Sequence, residues 1–140
     1  MQFVCDARKR RTWFRIETDA EATAETAAMR HAVEKFFRIE QDRARKSYRP
    51  GPGLERDIGL KNHLIRTSPL FLTLRADDGE PLATAMLPPG GKDDKDFHII
   101  IVGPENADPY VGHADAIALL GKHYGLSLPR SRCYPYAQRA

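Results

Sequence analysis

Seven apolar residues, Ala28, Met29, Ala32, Val33, Phe36, Phe37 and Ile39, fall within one half of a helix turning 100° per residue, while Arg30, His31, Glu34 and Arg38 fall on the other. A stripe that wide must be covered, and the short alternating segments on either side of it are suited to cover it as a sheet. The helix has a clear start, since Thr18 followed by Glu21 has the spacing of a capping box and an alanine-rich run begins there. Glu40 falls on the apolar half, so the core-facing stripe is expected to stop at Ile39, with Glu40 just past the core beside Arg43. Tyr48-Arg49-Pro50-Gly51-Pro52-Gly53 must end the helix, because proline removes a donor and the glycines remove any preference for regular structure.

Strands are legible before and after this helix. Phe3–Cys5 and Thr12–Thr18 read as a hairpin around the basic stretch Asp6–Arg11, with Phe14 and Ile16 alternating against Trp13, Arg15 and Glu17. Leu70–Arg75 and Leu82–Leu87 flank Asp77-Asp78-Gly79-Glu80, a hairpin turn whose residues accept positive φ. Phe97–Val102 is the most apolar run and is expected to be a central strand buried on both faces. Asp108 and Pro109 then open a second helix, lined by Tyr110, Ala114, Ile117, Leu120, Gly121 and Tyr124 and closed by Gly125.

The order ββα-βββα predicts an α+β fold, with an antiparallel or mixed five-stranded sheet and two helices packed on one face. A single domain is expected over residues 1–128, with a long irregular connection at 49–68 and a coil tail at 129–140. A chain of 140 residues can bury a core without staples. The two cysteines, Cys5 and Cys133, lack metal-site spacing and are expected to be free thiols in a reducing, cytoplasmic setting. No metal, cofactor or membrane span is expected.

The charge is sorted into blocks that the net value of +3 hides. Arg8, Lys9, Arg10, Arg11 and Arg15 form the first basic block; Arg43, Arg45, Lys46, Arg49, Arg56, Lys61 and Arg66 form the next; Arg130, Arg132 and Arg139 close the chain. If folding gathers them, they make a cationic face that attracts phosphate-rich partners. The expected function is therefore a non-enzymatic module binding nucleic acid or another polyanion through Arg8, Arg10, Arg11, Trp13, Arg43, Arg45, Lys46 and Arg49. In that arrangement Trp13 stacks a base. In the competing one, Trp13 is covered by Tyr134, Pro135 and Tyr136 of the tail, the commoner fate of a large aromatic.

Two other functions fit the same residues. One is a protein partner or a homodimer formed through an uncovered sheet face or edge. The other is a small hydrolase or nuclease using His98, which interrupts the most apolar strand, with His63 and Arg66 from the 49–68 connection. His113 and Asp115 are two residues apart on the second helix and so are expected to face different ways.

Overall fold

The computed structural model describes residues 1–49 and 56–133. Five strands form one antiparallel sheet in chain order: β1 (Gln2–Asp6), β2 (Arg11–Arg15), β3 (Leu70–Ala76), β4 (Pro81–Leu87) and β5 (Ile100–Val102). The fold is α+β, as the alternation of the strands and the periodicity of the helices require. Between β2 and β3 the chain inserts α1 (Asp19–Met29), α2 (Val33–Lys46) and α3 (Arg56–Thr67); α4 (Tyr110–Tyr124) follows β5.

The helices cover both faces of the sheet, not one. Period-2 alternation in β3 sends Leu70, Leu72 and Leu74 to one side, where they meet Trp13 and α4's Ala116, Ile117 and Leu120. Phe71 points the other way, into a second core with Ile16, Ala22, Val33 and Phe37 beneath α1 and α2. The expectation of two helices on one face fails because β3 is apolar at successive positions, and a strand buried on both sides needs a helical layer on each.

For the same reason the centre of the sheet is β3, while the Phe97–Val102 run lies at the edge. Only Ile100–Val102 of that run pair, and only with β4. Ile99 is buried without belonging to the strand, so the apolarity of the run reflects packing beneath α4.

The long amphipathic helix is two helices. α1 begins at the reciprocal Thr18–Glu21 capping box and ends at Arg30, whose φ of 54° is left-handed. α2 starts three residues later without a conventional cap at Ala32. Its first amides are instead accepted by two side chains from before the break: Val33 N–H donates to His31 Nδ1 (3.3 Å) and Glu34 N–H to Thr26 Oγ1 (2.8 Å). No glycine or proline marks the elbow, so periodicity alone runs through it.

Where the 49–68 connection was expected to be irregular, α3 occupies Arg56–Thr67 and lies antiparallel to α2. Tyr48 sits so close to Gly59 that a Cβ there would clash with its hydroxyl, so glycine lets α3 approach the end of α2. The tail residues 129–133 include a 3₁₀ turn at Arg130–Arg132, and residues 134–140 lie outside the described residues.

Candidate functional site

The meander separates the basic blocks. The β1–β2 turn is built from Arg8, Lys9 and Arg10, all left-handed at φ 61°, 52° and 60°. Such residues cost on the order of 1 kcal/mol each. The turn is held by Arg11, only 5% exposed, whose guanidinium donates to the carbonyls of Ala7 and Arg8. This turn stands at the Ala76 end of β3, since Arg11 pairs with Ala76. There it meets acid: Lys9 and Arg11 reach Asp115 at 3.3 and 2.7 Å, and Arg10 reaches Asp77 at 3.8 Å.

His113 shares this cluster, its Nδ1 accepting from Arg11 at 2.9 Å. Helix α4 is distorted at His113 (φ −133°, ψ 20°), so His113 and Asp115 both meet one guanidinium, contrary to the divergence expected from regular spacing. The Arg11 bond holds the Asp115 carboxyl well below the usual carboxylate range, and burial with the Arg11 charge lowers His113.

Two of the proposed polyanion contacts are thereby corrected. Arg11 is a buried structural cation. Trp13 is 0% exposed, with its indole N–H donating to Ala116 O at 2.9 Å, so it cannot stack a base. The cover is α4; Tyr134, Pro135 and Tyr136 lie outside the described residues.

The second basic block lies at the other end of the sheet. Gln41 of α2 donates to Ser68, just before Leu70 opens β3, so the α2–α3 end is a full strand length, ~20 Å, from the turn. Here Arg43 pairs with Glu40 (3.0 Å), and Arg45 approaches Asp42 at 3.9 Å. The stripe does not stop at Ile39, which is exposed; it runs through Val33 and Phe37 to Ala44, buried one turn beyond Glu40. Lys46, Arg49, Lys61 and Arg66 have no carboxylate partner among the described residues; Arg49 and Arg66 donate only to nearby carbonyls. Arg15, at the same end of β2, pairs with no described carboxylate either. Arg15 and Lys61 line one cleft with Gln2, Glu17 and Gln41 on its polar side and Ile16, Phe37, Leu64 and Ile65 on its apolar side.

The hydrolase candidates sit differently from their expected places. His63 lies on α3 with its Nε2 at 2.9 Å from Ala44 O and 2.8 Å from Ser47 Oγ, and its ring against Tyr48. It fastens α3 to the end of α2. Arg66 donates to Asn62 O, and His98 is exposed ahead of β5, outside the strand. Among the described residues no cluster of His, Cys, Asp and Glu is arranged to hold a metal, and no helix is long and apolar enough to cross a membrane. Cys5 and Cys133 are free thiols, and burial raises both.

The most organised polar constellation is one the sequence reading passed over. Glu25 of α1 is 0% exposed, and it accepts from Arg75 Nη2 at 2.5 Å and from the Thr84 hydroxyl at 2.6 Å. Thr84 Oγ1 in turn lies 2.8 Å from His31 Nε2. Because His31 Nδ1 accepts from Val33 N–H, the ring proton must sit on Nε2 and donate to Thr84. Thr84 therefore sends its own proton to Glu25, and His31 has no free lone pair with which to act as a base. The chain of bonds is structural; it pins the α1–α2 elbow to β4. Its sequence signal is the spacing Ala22, Glu25, Met29, which places a carboxylate in α1's buried stripe. His31 was invisible because its position belongs to the solvent half of an unbroken helix.

Burial lowers His31, and the opposing attraction of Glu25 does not reverse it. In the unfolded chain both His31 and His113 take up a proton at about pH 6.5; in the folded chain they do so only at lower pH. Their contribution to stability is thus complete above about pH 6.5 and is lost as pH falls through the folded-state values. Denaturant midpoints measured at pH 7, 6 and 5 are expected to drop, and less steeply in His31→Gln, which keeps a donor for Thr84. Parallel profiles for the two proteins would show that His31 is not the titrating group.

Compared with protein-family models, curated proteins and solved structures, the chain matches none of them.

Proposed function

We propose that this protein is a non-enzymatic binding module that holds nucleic acid by its phosphates at the α2–α3 end of the sheet. One observation carries the reading: Arg15 and Lys61 line one cleft, and Lys46, Arg49 and Arg66 lie on or beside α2 and α3, the helices packed at this end, none of the five with a carboxylate partner among the described residues. Cations held by the fold and left unneutralised are what a phosphate backbone displaces its counterions to reach. Arg43 and Arg45 border the same end but are already paired within α2. The turn at Arg8–Arg10 contributes little, because Asp77 and Asp115 offset it. Buried Trp13 offers no face for stacking, so the binding is expected to rest on phosphate contacts and to be indifferent to sequence.

Engaging four or five phosphates gives a log–log salt slope of about −4 on duplex DNA, or roughly two orders of magnitude in affinity between 50 and 200 mM salt. A variant carrying Lys46→Gln, Arg49→Gln and Lys61→Gln is expected to lower that slope by about 3. A second variant carrying Arg8→Gln, Lys9→Gln and Arg10→Gln should leave it unchanged. If the turn variant loses binding and the helical one keeps it, the surface has been placed at the wrong end; if neither parent nor variants bind at low salt, nucleic acid is not the partner.

A further inference from the structure

We propose that the cleft between the end of β2 and helix α3 is a binding site for a small apolar monocarboxylate, with its anionic head at Arg15 and Lys61 and its body against Ile16, Phe37 and Leu64. Such a site needs no nucleic acid, and it can be tested without one.

The cleft lies where three parts of the chain meet. Ile16 follows β2, Phe37 stands on α2 and Leu64 on α3, and all three line it. Ile16 and Phe37 are buried members of the core beneath the helices, so they form a fixed apolar floor. Lys61, Gln2 and Glu17 are exposed, which puts the polar groups toward the mouth. The cavity volume is about 140 Å³. An apolar cavity of about 150 Å³ holds a benzene ring, so a guest of about six to nine heavy atoms fits if its charged group stays near the mouth.

The charges of the lining select the guest. Neither Arg15 nor Lys61 has a carboxylate partner among the described residues, and Glu17 is the carboxylate that lines the cleft with them. Two cations and one carboxylate leave one positive charge, which a monoanion balances and a phosphate monoester, at about −1.5 to −2, exceeds. The Met1 ammonium does not alter this sum, because Glu21 pairs with it. A neutral molecule would cover the floor and leave both cations unmatched. A carboxylate without an apolar body would meet the cations and leave the floor bare, forgoing the part of the affinity that grows with buried area.

Ile16 and Ile65 both line the cleft, whereas Ile99, Ile101 and Ile117 belong to the core on the α4 side. Methyl-labelled isoleucine NMR on the full chain therefore carries its own controls. Titration with hexanoate or benzoate is expected to move the Ile16 and Ile65 signals saturably, with a dissociation constant of about 1 mM, and to leave Ile99, Ile101 and Ile117 in place. Acetate, hexanol and benzyl alcohol should each bind at least about tenfold more weakly. Lys61→Gln, at an exposed position, should keep the fold and weaken hexanoate about five- to tenfold. Glu17→Gln, also exposed, removes the opposing charge and should tighten hexanoate about two- to threefold. The proposal is overturned by Ile16 and Ile65 signals that do not saturate with either carboxylate, by an equal response to the alcohols, by an unchanged affinity in Lys61→Gln, or by phenyl phosphate binding the parent more tightly than benzoate. Oligonucleotides are absent from every arm, so failure here is distinct from a failure of the salt slope that tests nucleic-acid binding.

Discussion

Replacing Glu25 by alanine is expected to destabilise the protein by about 3–5 kcal/mol, the range found when one partner of a buried ion pair is removed. The loss has three sources. Arg75, largely covered, keeps its bond to Thr73 but loses its only carboxylate among the described residues; the buried hydroxyl of Thr84 loses its acceptor; and the space left beneath α1 is too enclosed to refill. Against a total stability of about 5–15 kcal/mol, that is enough to leave much of the chain unfolded at moderate temperature. The value should depend on the partners. With Thr84→Val already present, the further cost of Glu25→Ala should shrink by about 1–3 kcal/mol, because the hydroxyl no longer needs an acceptor. Urea denaturation of the four proteins of this cycle measures both quantities. A single-mutant cost below about 1 kcal/mol, with no coupling to Thr84, would mean that the carboxylate is solvated and the network does not form.

Strands and helices were legible wherever a period was carried by side chains alone. The Asp77–Glu80 hairpin, the β1–β2 pair, the capping box at Thr18 and the close of α4 at Gly125 all follow from local chemistry, and all are present. What local chemistry could not place was anything decided by a distant partner. The break at Arg30–Ala32 has no glycine or proline; it exists because His31 is bonded to Thr84, 53 residues away, and because Thr26 can receive the Glu34 amide. The same applies to β5. Its composition suits a buried centre, but a simple meander leaves the last strand at the edge, and α4 provides the burial instead.

The site shows this division more sharply. That the chain is basic in blocks is a property of the sequence; that the blocks part company is a property of the meander, which sends Arg8–Arg11 to one end of β3 and Arg43–Arg49 to the other. Their electrostatic weight then depends on acids far off in the chain. Asp115 neutralises the turn from 104 residues beyond Arg11, and nothing in either local sequence announces the pairing. Glu25 is the exception, since a carboxylate between Ala22 and Met29 on a buried stripe signals in advance that some cation must come to meet it.

Trp13→Ala is expected to cost about 3–5 kcal/mol, and Trp13→Phe about 1–2 kcal/mol, with nucleic-acid affinity and its salt dependence unaltered in the phenylalanine variant. The first figure follows from removing the largest fully buried side chain of the α4-side core, where it packs among Leu72, Leu74, Ala116 and Ile117. The second reflects a ring that still fills most of the volume but no longer donates to Ala116 O. Because Trp13 is the only tryptophan, its fluorescence reports on the same question without a mutation. An indole enclosed between β2 and α4 should emit at short wavelength, resist quenching by iodide and acrylamide, and stay unchanged when DNA or RNA is added at low salt. Binding at the α2–α3 end takes place on the other side of the molecule's charge separation and leaves α4 where it is. If oligonucleotides quench Trp13, and Trp13→Phe binds them more weakly at unchanged stability, then α4 must lift from the sheet when nucleic acid binds, and the aromatic contact expected from the sequence would be restored at the expense of the phosphate-only surface.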